Sequence, residues 1–114
     1  MNIALLFPGQ GSQFIGMGKD FYDRYESAKS VYNELDLALN RPLSDLIFEG
    51  SDIDISLTTN SQPAIMATSI AIFRTIQAEK LTDTNNIKMV AGYSLGEYSS
   101  LVANESLAFS DAAK

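Results

Sequence analysis

A strand-to-helix junction built around a Gly-x-Ser-x-Gly pentapeptide constrains the fold of this chain most strongly. An apolar run at residues 89–91 enters Gly92-Tyr93-Ser94-Leu95-Gly96, and a helix-forming stretch leaves it. This order predicts a nucleophile elbow, in which a sharp turn exposes the Ser94 hydroxyl. The flanking glycines let strand and helix approach closely, and unpaired N–H groups at the helix start can stabilise an oxyanion. Ser94 is therefore the candidate nucleophile, and the junction favours acyl-transfer chemistry.

The base that such a serine requires is missing from the sequence. None of the 114 residues is histidine, and a serine hydroxyl reacts poorly unless a neighbouring group takes its proton. Residues 109–114 are typical of a first helical turn, which is not stable by itself. We therefore expect residues 1–114 to be the N-terminal part of a single longer domain. Alone, they are expected to be poorly stable and inactive.

Composition is that of an ordinary globular domain and excludes several other classes of protein. Hydrophobic residues make up 46% and charged residues 19%, close to the usual averages. A net charge of −6 argues against binding to nucleic acid or to an anionic membrane surface. The sequence has neither cysteine nor histidine, so we expect no metal site, and we expect no cofactor. Without a basic leader or a membrane-length apolar run, the default expectation is a cytoplasmic protein.

Periodicity predicts two strands separated by helices, which indicates an α/β fold with a parallel sheet. The continuous apolar run Ile3–Phe7 suits a strand buried on both faces. Residues 51–60 are predicted to be a connection. The other predicted elements are a helix over 18–39 with a break near Ser27, a short helix over 43–48, a buried helix from about Asn60 to Lys80, a strand over 89–92 and a helix over 95–103. Two strands are few for a parallel sheet, which again favours a longer domain.

The glycine-rich loop after the first strand suggests phosphate binding but does not fit the known patterns. A dinucleotide-binding fingerprint requires glycine where Phe14 stands, and a P-loop requires lysine where Met17 stands. We instead expect the loop to lie beside the elbow, at the carboxyl ends of adjacent strands, where open α/β sheets place ligands. Its N–H groups can then share an oxyanion with the N–H of Leu95.

Three motifs in the same order resemble one known family. They are Phe-Pro-Gly-Gln-Gly-Ser-Gln at 7–13, Ser-Gln-Pro-Ala at 61–64 and Gly-Tyr-Ser-Leu-Gly-Glu-Tyr-Ser at 92–99. Together they resemble the acyltransferase family that contains malonyl-CoA:acyl-carrier-protein transacylase. The resemblance implies part of an α/β-hydrolase-like acyltransferase domain. It also implies that Ser94 accepts a malonyl group from coenzyme A and passes it to the phosphopantetheine thiol of acyl carrier protein, in fatty acid or polyketide synthesis.

The resemblance also implies roles for other residues. Backbone N–H groups of Gln10 and Leu95 correspond to the family's oxyanion hole, and Gln62 corresponds to a glutamine near the substrate. The family's catalytic histidine and its carboxylate-binding arginine have no counterparts within these 114 residues. Tyr93 stands where the family commonly has histidine, a difference that concerns substrate choice or local packing.

Two other functions are compatible with the sequence. A serine esterase or phospholipase would use the same elbow with a different base, and it would hydrolyse simple esters without a carrier protein. The early glycine-rich loop counts against it. A truncated, non-catalytic module that binds coenzyme A or a carrier protein would explain the absence of histidine.

Overall fold

The computed structural model describes residues 3–80, 87–92, 96–103 and 109–113 and shows seven helices and two strands in them. The elements, in chain order, are β1 (Ile3–Phe7), α1 (Lys19–Arg24), α2 (Glu26–Leu39), α3 (Leu43–Glu49), α4 (Asp52–Ser56), α5 (Thr58–Ala78), β2 (Ile87–Gly92), α6 (Gly96–Ala103) and α7 (Phe109–Ala113). The predicted α/β class is confirmed.

The two strands form a parallel pair, as the sequence predicts. Ile3 lies opposite Ile87 at one end of the register and Phe7 opposite Gly92 at the other, with an irregularity after Ile3. Because the strands are parallel, the segments that follow them leave the sheet at the same edge. This pairing brings the glycine-rich loop and the entry to the pentapeptide to one end of the molecule.

Side chains of β1 alternate between a covered and an exposed face. Phe7 is buried, whereas Leu6 keeps 78% of its surface exposed. On the neighbouring strand, Met89 pairs with Ala4 and is 58% exposed. The prediction that β1 is buried on both faces is therefore wrong for the described part of the chain, because its helices leave this face of the sheet open.

Helix α5 forms the centre of the core, as its wide apolar surface predicts. It packs against α2, α4 and α6. The side chains buried along it include Ala64, Ile65, Met66, Ala67, Ile70, Ala71 and Phe73. Within the described residues, no helix is both long and apolar enough to cross a membrane.

Tyr32 of α2 connects the core to the glycine-rich loop. It is fully buried, and its hydroxyl lies 2.8 Å from Thr68 Oγ1 on α5. The same hydroxyl is 3.4 Å from the Met17 carbonyl oxygen, at the end of the loop. Burial raises the pKa of Tyr32 to about 12, against the smaller opposing effect of the hydrogen bond to Thr68. The phenol is therefore protonated at neutral pH and able to donate.

Two predicted boundaries differ from the structure. The long helix over 18–39 breaks at Tyr25, which adopts an extended conformation with φ −128° and ψ 124°, rather than at Ser27. The segment predicted as a connection contains α4 and the start of α5. Ser51 caps α4, because its hydroxyl accepts the Asp54 N–H at 3.1 Å.

Candidate active site

The candidate site lies at the carboxyl edge of the parallel pair, where the glycine-rich loop follows β1. Ser94 and Leu95, the predicted nucleophile and one oxyanion donor, lie outside the described residues together with Tyr93. The elements on both sides of them are described: β2 ends at Gly92 and α6 begins at Gly96. The strand-to-helix order predicted for the elbow is therefore present on either side of residues 93–95.

Gly96 packs directly against the backbone at the end of β1. A Cβ atom added at Gly96 would overlap the Phe7 carbonyl oxygen and lie 2.9 Å from the Phe7 carbonyl carbon. It would also lie 3.2 Å from the Pro8 carbonyl oxygen. The first residue of α6 thus contacts the residues that open the glycine-rich loop. The start of the loop therefore lies beside Gly96, whereas the elbow residues that the loop is expected to adjoin lie outside the described residues.

This packing predicts the effect of replacing Gly96 by alanine. Helix propensity alone would make alanine more stable than glycine by about 1 kcal/mol. Forcing an extra methyl into a packed site costs roughly 1–3 kcal/mol, and here the obstacle is backbone, which cannot rotate away. The two effects together predict that Gly96→Ala lowers the free energy of urea unfolding by up to about 2 kcal/mol. An increase in stability would show that the contact between α6 and β1 is not tight.

The loop between β1 and α1 is held by short-range hydrogen bonds and by one bond to α3. The Ser12 hydroxyl donates to the Gly9 carbonyl oxygen at 2.7 Å, and the Gly11 N–H donates to Gln13 Oε1 at 2.8 Å. Further along, the Gly16 N–H donates to the Ile47 carbonyl oxygen at 2.7 Å. Although the loop is rich in glycine, these hydrogen bonds give its backbone a defined conformation.

Gln10 extends from this loop to the beginning of α5. Its side-chain Nε2 donates to Thr58 Oγ1 at 3.2 Å, and Thr58 is the first residue of that helix. Gln62 lies one turn further along α5 and is partly buried. Because residues four apart share a helix face, the two predicted glutamines both belong to the region around the first turns of α5.

Arg41 stabilises the start of α5 through two hydrogen bonds. The guanidinium donates to Asn60 Oδ1 at 2.7 Å and to the Thr59 carbonyl oxygen at 3.0 Å. In an uninterrupted helix, that carbonyl would accept from residue 63, but Pro63 has no N–H. Arg41 therefore satisfies the acceptor that the proline leaves without a partner, and this allows α5 to start before the proline.

An apolar groove of about 350 Å³ lies between β1, the glycine-rich loop and α5. Phe7, Phe14, Met17, Ile65 and Ile72 are among the residues that line it. Gln10 and Gln62 are not among the lining residues, whereas Pro8 and Ser12, on either side of Gln10, are. Among the described residues, no cluster of acidic side chains could hold a metal ion.

Thr58 and Arg41 were not predicted from the sequence. Thr58 lies in the segment interpreted as a connection, and its partner Gln10 is distant along the chain. Arg41 follows a helix end and precedes a proline, which suggests a turn residue. A carbonyl left without its donor by Pro63 was the one available signal, but it does not indicate which side chain would satisfy it.

Comparison with known proteins places these features in one family. The family model for the acyl transferase domain matches residues 4–114. The chain belongs to the acyl transferase domain family. The malonyl CoA-acyl carrier protein transacylase of Bacillus subtilis (strain 168) is 50% identical over 110 residues, which is 96% of this chain and 33% of that protein. The chain thus spans about a third of the length of this curated acyltransferase.

Solved acyltransferase structures have the same fold over the same region. The acyl-carrier-protein-S-malonyltransferase of Bartonella henselae superimposes with a TM-score of 0.94 at 47% identity, over 99% of this chain and 36% of that one. A malonyl-transacylase solved in complex with its type II PKS acyl-carrier protein gives a TM-score of 0.91 at 34% identity, over 99% of this chain and 36% of that one.

Proposed function

We propose that this chain supplies the nucleophile and oxyanion donors of an enzyme that transfers malonyl groups from coenzyme A to acyl carrier protein. The Ser94 oxygen attacks the malonyl thioester carbonyl while a base outside these 114 residues takes the hydroxyl proton. Coenzyme A then leaves as a thiol that carries this proton, and the acyl-serine forms. The phosphopantetheine thiol of the carrier protein then attacks the acyl-serine, and the serine regains its proton. The observation that supports this best is the contact of Gly96 with Phe7 and Pro8, since it joins the glycine-rich loop to the helix after Ser94.

The proposed oxyanion site consists of the backbone N–H groups of Gln10 and Leu95. Donors fixed in advance stabilise the charge that develops on the thioester oxygen in the transition state. Hydrogen bonds within the loop support this role, because they restrain the backbone on both sides of Gln10. Gln62 is proposed to contact substrate from the first turns of α5.

The substrate and partner are proposed from relatives that are longer than this chain. Proteins named malonyl CoA-acyl carrier protein transacylase match nearly all of it, and one similar structure contains an acyl-carrier protein. We accordingly propose malonyl-CoA as the substrate and acyl carrier protein as the partner, in cytoplasmic fatty acid synthesis, with no resident cofactor. Nucleic acid and membranes are not proposed partners.

We further propose that residues 1–114 form the N-terminal part of one larger acyltransferase domain. Two observations support this proposal: the relative from Bacillus subtilis is about three times as long, and an apolar face of the sheet is open at Leu6 and Met89. Large exposed apolar patches usually mark surfaces that another segment or molecule covers.

No residue within this chain is proposed as the general base. Since it has no histidine, we propose that these 114 residues complete no turnover alone and that the base is supplied by further polypeptide. A non-catalytic module that binds coenzyme A or a carrier protein is the second candidate. The lack of histidine in these 114 residues favours it.

Intact-mass spectrometry of the protein translated from the complete reading frame tests the main proposal. Incubation with malonyl-CoA should add one malonyl group, and fragmentation should locate it in the peptide that spans residues 89–103. Addition of phosphopantetheinylated carrier protein should then remove it from the enzyme. Binding without a covalent adduct would favour the non-catalytic module, whereas rapid hydrolysis of simple esters without carrier protein would favour the esterase.

A further inference from the structure

The side chain of Gln10 is bonded to a residue that the family resemblance does not assign. Its Nε2 donates to Thr58 Oγ1 at 3.2 Å, across a separation of 48 residues. We infer that Thr58 is a positioning residue, which holds the Gln10 backbone N–H where an oxyanion can bind it. This inference rests on the proposed acyl transfer.

The side-chain bond to Thr58 adds a restraint at Gln10 itself, beyond the loop hydrogen bonds on either side of it. Gln10 stands between two glycines, and Gly11 adopts the left-handed region with a φ of +105°. Glycine has the largest conformational freedom of any residue, so neighbours of this kind do little to fix a peptide plane. The Ser12 N–H approaches the Gly9 carbonyl oxygen at 3.4 Å and closes a turn. The hydrogen bond that closes the turn does not use the Gln10 N–H, and the described residues show no acceptor for it.

Thr58 can position Gln10 because other hydrogen bonds hold the first turn of α5 in place. Arg41 holds the carbonyl oxygen of the next residue, Thr59, at 3.0 Å. Asn60 is buried, and its Nδ2 donates to the Asp54 carbonyl oxygen at 2.8 Å. The hydroxyl that accepts from Gln10 is therefore attached to a part of the helix with little freedom to move.

Three single variants separate this role from general stability. Thr58→Val removes the acceptor with almost no change of shape, whereas Thr58→Ser keeps a hydroxyl. Thr59→Val makes the same chemical change one residue later, at an exposed side chain for which the described residues show no hydrogen bond. Val and Thr have similar helix propensities, so helix stability should change little in either valine variant.

The kinetic experiment measures acylation of Ser94 by malonyl-CoA in single turnovers of the full-length protein. The Thr58→Val variant lacks one neutral hydrogen bond that positions an oxyanion donor. We therefore expect its Ser94 to be acylated about fivefold more slowly than that of the wild type. The Kd for malonyl-CoA should not change, since the oxyanion forms only during reaction. Thr58→Ser and Thr59→Val should acylate like the wild type. Equal rates for Thr58→Val and the wild type would overturn the inference.

A double-mutant cycle with Gln10→Ala tests whether the two side chains act together. Gln10→Ala removes the amide that bonds to Thr58 but keeps the backbone N–H. We call the hydrogen bond between the side chains of Gln10 and Thr58 the tether. If its loss causes the slower acylation, Thr58→Val should have no further effect on acylation in the Gln10→Ala background. Additive losses would mean that Thr58 acts by another route, and would overturn the inference.

Hydrogen–deuterium exchange gives a readout that does not depend on acyl transfer. In Thr58→Val, amides of residues 9–14 should exchange faster than in the wild type, while Thr59→Val leaves them unchanged. Unchanged exchange in Thr58→Val would show that the hydrogen bond to Thr58 does not restrain the loop, and would overturn the inference. A wild-type protein with the protected loop but without acylation would instead overturn the proposed function and leave Thr58 with a structural role only.

Discussion

Replacement of Ser94 by alanine is expected to abolish the malonyl adduct and to lower carrier-protein malonylation by a factor of roughly a thousand or more. The expected loss is this large because the acyl-enzyme cannot form without the hydroxyl, and oxyanion donors alone recover only a small part of the rate. Parallel measurements of adduct mass and of malonyl transfer, both in full-length protein, would check it. Binding of malonyl-CoA should persist in Ser94→Ala.

Ser99→Ala provides the matched control for this variant. Ser99 lies on α6 and is fully buried, and its hydroxyl has no hydrogen-bond partner among the described residues. Among the described residues, removal of this hydroxyl leaves no donor or acceptor unsatisfied, so adduct formation should continue at close to the wild-type rate. A malonyl adduct that persists in Ser94→Ala would contradict the assignment of the nucleophile, and mapping it would identify the residue that replaces Ser94.

Local signals predicted the parts of the fold that position the candidate site. The apolar run at Ile3–Phe7 ends at a Pro-Gly pair, and its bounds as a strand agree with the structure. The strand over 89–92 also agrees, except that it begins two residues earlier, at Ile87. Both predictions succeed because apolar runs and glycine signals act over a few residues, and because parallel pairing follows from the intervening helices.

Tertiary contacts account for what the local pattern does not predict. Pro63 suggested that a helix begins close to Asn60, since proline is favoured in a first turn. The helix begins at Thr58 instead, and Arg41 replaces the hydrogen bond that the proline cannot make. The tether between Gln10 and Thr58 is equally invisible in the sequence, because neither residue type specifies a partner 48 positions away.

The second large effect is expected for Gly18→Ala, at the end of the glycine-rich loop. Gly18 has a φ of +79°, where alanine costs about 1–2 kcal/mol. An added Cβ would also overlap the Tyr32 hydroxyl and lie 3.0 Å from Thr68 Cγ2. Tyr32 is fully buried, so the overlap overpacks the core and adds roughly 1–3 kcal/mol. Urea unfolding should show a total loss of about 2–5 kcal/mol.

Gly16→Ala isolates the steric part of this loss. Gly16 has a similar φ of +89°, but nothing lies within 4 Å of an added Cβ. Its variant should therefore show only the conformational cost, and the difference between the two variants measures the overlap with Tyr32. Combining Gly18→Ala with Tyr32→Phe should be less destabilising than the sum of the two, because removal of the hydroxyl relieves the closest contact. Equal losses in Gly16→Ala and Gly18→Ala would mean that the loop can withdraw from α2, and that Tyr32 does not fix its end.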